Sequence, residues 1–278
     1  MTDAVKGLTR SVGIAGSKLG FHDLDDAADQ ARQAEAQGYS SLWIPGGRAN
    51  VLSLLGAAVR STNRIQIAPG VISVDRVKPG DVAAAFDELH HDYPNRFLVG
   101  LGGAHGNRPL GTLHGYLDHL DSAGVPAQSR ILAALGPKML ALARDRAAGA
   151  YPFLVTPSYV ESARATLGPH RQLIVLLMVI PIVDRSAARH AAAGALSFFT
   201  TSPGYRNSLR RQGFAESEID SIAPRLVDSV TASGDADAIA ARVADYHAAG
   251  ADQVVLRITG VDNEEAMWRQ RLAPADVT

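Results

Sequence analysis

The sequence predicts an α/β fold in which eight parallel strands, each followed by a helix, close into a (β/α)8 TIM barrel. Three observations point there. Short apolar, β-branched runs alternate with longer segments of helical period from end to end. The alternation supplies eight strands, which suits a closed barrel better than an open sheet. The 278 residues carry no linker, low-complexity tract or short internal repeat beyond it. Residues 1–278 therefore read as a single domain, close to the roughly 250 residues such barrels use.

Ser11–Ala15 (SVGIA) is the first strand. The first helix, Asp23–Gln37, carries Leu24, Ala27, Ala28, Ala31 and Ala34 on one face, with Asp23 as N-cap and Gly38 as the stop. Ser41–Ile44 (SLWI) and Asn50–Thr62 form the second unit. Ile65–Ile72 is the third strand, and the segment from Pro79 to His91 its helix. Phe97–Leu101 is the fourth strand, followed by a helix with Leu110, Leu113, Leu117 and Leu120 on one side. Arg130–Ala133 with Lys138–Ala148 is the fifth unit, and Tyr151–Val155 with Ser158–Leu167 the sixth. Leu173–Ile182 is the seventh strand; the apolar run from Leu173 to Val183 is about half a membrane span and contains Pro181, so a buried strand fits it better. Gln253–Ile258 (QVVLRI) is the eighth. Between the last two strands about seventy residues read as several helices, a helical excursion longer than ordinary connections. It is expected at the catalytic end of the barrel.

Composition narrows the function classes. A net charge of −1 gives no electrostatic reason for a nucleic-acid or anionic-membrane partner. The absence of cysteine removes disulfides, thiolate metal sites, a cysteine nucleophile and iron–sulfur ligation. Met1 to Arg10 has no apolar signal-peptide core, so a cytoplasmic location is expected. No G-x-S-x-G elbow, P-loop or zincin motif gives a hydrolase or nucleotide triphosphatase a starting residue. His90 and His91 are adjacent on a helix and point about 100° apart, and His114 and His119 have no carboxylate at ligand spacing, so no metal site is expected.

In this fold chemistry sits on the loops that follow the strands. After the fourth strand comes Gly100-Leu101-Gly102-Gly103-Ala104-His105-Gly106. Its glycines allow close backbone approach to a phosphate or planar ring, and equally form a tight strand-to-helix turn. It is not a dinucleotide fingerprint, because His105 stands where the last glycine belongs. His105 is the candidate catalytic residue, an imidazole able to exchange a proton near neutral pH; the plain alternative is a solvated loop histidine. After the fifth strand, Leu135-Gly136-Pro137-Lys138-Met139 starts a helix on proline, leaving neighbouring amides free beside the Lys138 charge. That is an anion site or simply a proline-started helix. Trp43 is either barrel packing or an aromatic wall for a cofactor ring.

The order SLWIPGG, NRIQIAPGV, YPNRFLVGLGGAHG and RILAALGPKMLALARDRAAGAYPFLVTP resembles the luciferase-like monooxygenase superfamily. Together with YRNSLRRQGF and GDADAIAARVADYHAAGADQVVLRI, it is similar to the actinobacterial F420-dependent oxidoreductase subgroup over about Val12 to Ile258. The resemblance implies a non-prolyl cis peptide at Gly70–Val71, packed behind the central ring of a flavin. It implies a phosphate cradle from Gly102, Gly103, Leu135, Gly136, Pro137, Lys138 and Met139. It also implies a homodimer. Sugar-phosphate dehydrogenases of the superfamily carry an Asp-His pair where this chain has Gly46-Gly47, which argues against that activity. The expected function is hydride transfer between coenzyme F420 and a small organic substrate. An FMN-dependent luciferase-like monooxygenase and a non-catalytic flavin- or F420-binding protein are the alternatives.

Overall fold

The computed structural model describes residues 11–16, 21–47, 50–104, 108–261 and 264–274. Its strands are β1 (Val12–Ala15), β2 (Ser41–Ile44), β3 (Gln66–Pro69), β4 (Ile72–Ser73), β5 (Val99–Gly102), β6 (Arg130–Leu132), β7 (Gly149–Ala150), β8 (Gln172–Ile180), β9 (Thr231–Ser233) and β10 (Gln253–Ile258). All pair in parallel, in the order β3-β2-β1-β10-β8-β7-β6-β5-β4. The two ends of that path, β3 and β4, are one segment interrupted at Gly70–Val71, and a parallel bridge from Ile67 to Phe97 closes the ring. The expected third strand is thus real but broken in the middle.

The surrounding helices are α1 (Leu24–Ala36), α2 (Val51–Arg60), α3 (Pro79–Asp92), α4 (Pro109–Ser122), α5 (Pro137–Arg146) and α6 (Pro157–Leu167). The excursion holds α7 (Arg185–Thr200), α8 (Pro203–Arg211), α9 (Glu216–Asp220) and α10 (Pro224–Val230) before β9; α11 (Ala236–Ala248) and α12 (Glu265–Arg271) flank β10. Pro79, Pro109, Pro137, Pro157, Pro203 and Pro224 each open a helix, where a fixed φ helps and the missing N–H costs nothing. Among the described residues no helix is long and apolar enough to cross a membrane.

Two expectations need correction. The sixth strand is not Tyr151–Val155: regular pairing ends at Ala150, and beyond it only Phe153 bridges to Leu176. Pro152 has no N–H to donate, and Leu154 has φ +56, so the chain leaves the sheet. The second is β9, a strand the sequence did not announce. Met178 and Val179 of β8 pair with Arg257 and Ile258 on one edge and with Thr231 and Ala232 on the other. The excursion therefore returns by filling the edge of β8 that β7 leaves open.

Strand β8 shows why the barrel has two cores. Leu173, Val175, Leu177 and Val179 pack outward with the helices, while Ile174, Leu176, Met178 and Ile180 face inward. The inward set is continuous with Leu196, Leu209 and Leu226 of the excursion, so α7, α8 and α10 pack onto the apolar cluster that fills the barrel. Lower in the barrel, the Gln253 amide donates to the hydroxyls of Ser11 (2.9 Å) and Ser40 (2.8 Å) and accepts from Ser41 (2.8 Å). Ser41 in turn accepts from the Trp43 indole at 2.9 Å. This polar layer satisfies groups that burial would otherwise penalise.

The turn into β3 is held from α1. The Glu35 carboxylate accepts backbone N–H bonds from Asn63 (2.9 Å) and Ile65 (3.0 Å), and from Arg64 between them. Burial pushes its pKa up, but these amide bonds and the nearby Arg96 outweigh it and hold the group below its ordinary value. A lowered folded pKa adds stability that is complete above the ordinary Glu pKa of about 4.3 and fades as pH falls through the folded value. Glu35→Gln is expected to cost about 1 kcal/mol at pH 7, discounted for partial exposure. Thermal melts from pH 7 to pH 2 should show the two proteins converging at the acid end.

Candidate active site

The strand ends converge on a cavity of ≈ 210 Å³ at the C-terminal end of the barrel. Ala15, Gly16, Pro45, Gly46 and Gly47 edge it from β1 and β2, and Gly70, Val71 and Ala133 from the third and fifth barrel units. Trp43 and Tyr151 form its base, stacked at 3.9 Å between centroids with planes 8° apart. The opposite wall is aromatic: Phe153 meets Phe199 edge-on at 5.0 Å, and Tyr205 packs against Phe199 at 5.2 Å. Phe198, exposed, stands at the rim.

The Gly70–Val71 peptide is cis, as the resemblance implies, and both residues line the cavity. Glycines make room for it. A Cβ on Gly46 would lie 1.8 Å from the Val71 carbonyl oxygen, and one on Gly102 would lie 2.8 Å from both the Val71 and Ala133 side chains. Gly102 therefore backs Val71 rather than lining the cavity. Gly103 follows at φ +72, close against Ser73, a conformation that favours glycine.

At the start of α5, Gly136 is the N-cap and Pro137 the first helical residue. The amides of Lys138 and Met139 have no acceptor among the described residues, as the first turn of a helix leaves them. The carbonyls on the other side are taken: the Tyr159 hydroxyl donates to Leu135 at 3.0 Å, and Arg211 of α8 reaches the same oxygen at 3.5 Å. Arg211 lies 3.6 Å from where a Cβ of Gly136 would be, so a second cation stands beside the helix start with Lys138. Open amides, the helix dipole and two cations make the start of α5 electropositive. The chain joins it directly to the cavity: Ala133 lines the wall, and Leu135 to Met139 follow after Ala134.

Of the residues expected from sequence, Trp43, Gly70 and Val71 line the cavity, Gly102 and Gly103 sit behind the bulge, and Leu135 to Met139 form the helix start. Trp43 is 1% exposed and tied to Ser41 and Tyr151, so it is a base and not a free wall. His105 lies outside the described residues. No group of three or more metal-ligating side chains occurs among the described residues. Sequence reading missed Tyr151, Phe153, Phe199, Tyr205, Arg211 and Arg257, all close to the cavity or the start of α5. Only Arg257 carried a visible signal, as a charge inside the apolar strand QVVLRI.

The fit of Gly46 against Val71 gives a direct test. Gly46→Ala sets a methyl against backbone that cannot yield, and should destabilise by about 1–3 kcal/mol, read as a lowered Tm. Gly47→Ala is the control, since nothing lies within 4 Å of its Cβ position; its Tm should stay within about a degree.

The family model for luciferase-like monooxygenase matches residues 7–124. No curated protein sequence matches the chain. Among solved structures, an F420-dependent secondary alcohol dehydrogenase in complex with an F420–acetone adduct superposes with TM-score 0.70 at 16% identity, over 96% of this chain and 99% of that one. Coenzyme F420-dependent tetrahydromethanopterin reductase from Methanopyrus kandleri gives TM-score 0.70 at 17% identity, over 95% and 98%. The FMN complex of the oxygenating constituent of 3,6-diketocamphane monooxygenase from Pseudomonas putida gives 0.67 at 13%, over 97% and 100%. At such identities the likeness speaks for the fold. The matched family model and the shared barrel together bear out the resemblance of this chain to the luciferase-like monooxygenases.

Proposed function

We propose that the chain is an F420-dependent oxidoreductase moving a hydride between the deazaflavin and a small organic substrate. The observation that carries this reading is a juxtaposition at one end of the barrel. A cavity backed by the Gly70–Val71 bulge neighbours, along the chain from Ala133, a helix start with open amides and two cations. A planar redox ring with a phosphate tail needs both parts. The cavity, ≈ 210 Å³ and open to the mouth, is below the roughly 300–1,000 Å³ of pockets that enclose a whole ligand. Its lining would hold a planar ring, and the amides and cations at the start of α5 would hold an anionic tail.

When bound, the deazaflavin supplies or accepts the hydride; the chain's residues position and protect. Val71, held by Gly46 and Gly102, presents a fixed backbone surface. The amides of Lys138 and Met139, with Lys138 and Arg211, hold the phosphate. Phe153, Phe199 and Tyr205 exclude water from the substrate side. His105 donates or takes the substrate proton. The reading includes the homodimer that the resemblance implies.

FMN is the second cofactor reading, supported by the FMN-bound structure that shares the fold. Fluorescence titration separates the two. F420 should bind in the micromolar range, and Arg211→Gln should weaken it about tenfold, one charge-assisted contact. Micromolar FMN affinity without an F420 response would move the assignment to FMN.

Turnover separates enzyme from binding protein. Reduced cofactor mixed with enones, quinones or nitroaromatics should be consumed. His105→Ala should then lower kcat by about 10²-fold or more if the imidazole moves the proton. Unchanged kcat removes His105 from the mechanism, and binding without any turnover leaves a storage or sensing role.

A further inference from the structure

The cavity holds a cation whose partner is not found among the described residues. Arg257 follows Gln253 and Val255 on the inward face of β10. Gln253 is satisfied by three serines, but the Arg257 guanidinium, two layers higher, makes no ion pair or hydrogen bond among the described residues. Half-buried as it is, its pKa is pushed down by the loss of solvent around it. It lies 5.8 Å from the Phe153 ring centroid and 5.7 Å from that of Phe199, contacts that soften the burial of a cation and do not replace an anion.

Two phenols share the cavity with it. The Tyr151 hydroxyl is buried without a hydrogen-bond partner among the described residues, its ring fixed by the stack on Trp43. Tyr205 is pushed up to about 12 by burial, against the pull of Arg257. Burial pushes Tyr151 up as well, so both phenols stay protonated and able to donate near neutral pH. The guanidinium and the two O–H groups are all donors; Tyr151 is buried, where an unmet donor is costly, while Tyr205 and Arg257 are half-buried beside it at the cavity surface.

We propose that Arg257, Tyr151 and Tyr205 form a subsite for a carboxylate, so that the substrate is a small organic acid with a flat apolar body. Among the described residues, Arg257 is the only charged one lining the cavity. One guanidinium fork matches a singly charged carboxylate, and the described lining offers no second cation for a phosphate dianion. Phe153 and Phe199 give the apolar body its wall. The inference rests on reading the aromatic side of this cavity as the substrate side, and not on which cofactor is used.

The test is calorimetric titration of the full chain at pH 7 with benzoate, its neutral isostere benzamide, and inorganic phosphate. Benzoate should bind at least about tenfold more tightly than either. Arg257→Gln should erase that preference, and Tyr151→Phe, which keeps the stack on Trp43, should weaken benzoate severalfold. Equal affinity for benzoate and benzamide, a preference for phosphate, no benzoate binding at millimolar concentration, or a preference that survives Arg257→Gln would each overturn the subsite. Should Arg257→Gln not fold, the three-ligand comparison on the unaltered chain and Tyr151→Phe still decide. F420 and FMN are titrated into the same proteins. Cofactor affinity lost with Arg257 while benzoate fails to bind assigns the guanidinium to the cofactor and overturns the subsite. Benzoate preference retained without any cofactor binding overturns the redox reading and supports the subsite.

Discussion

Everything at the mouth of this barrel depends on how its axis is filled from below. Eight closed strands must send every second side chain inward, into a space that packing has to fill. Here the lower layer is polar and complete, with Gln253 joining Ser11, Ser40 and Ser41 across three strands. Above it, the Trp43 indole is anchored to Ser41, and Tyr151 lies flat on its ring. That column closes the barrel core at mid-height. What remains above is an open cup with a rigid aromatic base.

The cup is built by two different means on its two sides. Towards β3 and β5 it is made of backbone: the Gly70–Val71 bulge, with Gly46 and Gly102 lacking the side chains that would strike it. Towards β7, β10 and the excursion it is made of side chains: Phe153, Phe199, Tyr205 and Arg257. A backbone surface is indifferent to the identity of most neighbouring residues, while a side-chain surface is rewritten by single substitutions. The first suits a part common to many reactions, and the second suits a choice among ligands.

Much of the fold was legible because each strand is a short apolar run between turn residues, and because prolines mark helix starts. On the backbone side of the cavity, Pro137 marked a helix start by its fixed φ and Gly70–Val71 came from the resemblance, while Gly102, expected in a phosphate cradle, packs behind Val71 instead. The side-chain half was not legible. In β8 the run QLIVLLMVI is apolar at nearly every position, so it gives no sign of which residues face the axis. The same holds for Tyr151 and Phe153, whose segment looked like a regular strand until Pro152 and the φ of Leu154 removed it from the ladder. Strand β9, three residues reading Thr-Ala-Ser, is too short and too ordinary in composition to stand out. Its existence follows from the open edge beside β8, a tertiary cause that no local pattern records.

That short strand has a larger effect than its length suggests. By pairing with Met178, Val179 and Ile180, it fastens the returning end of the excursion to the same strand from which the excursion departs. The helices between are a loop of architecture with both feet on one beam, and their inner faces pack on the barrel's inward side chains. Residues of α7 and α8 that face the cavity, such as Phe199 and Tyr205, can change without moving either foot. Variation in the side-chain wall of the cup is thereby uncoupled from the integrity of the ring beneath it.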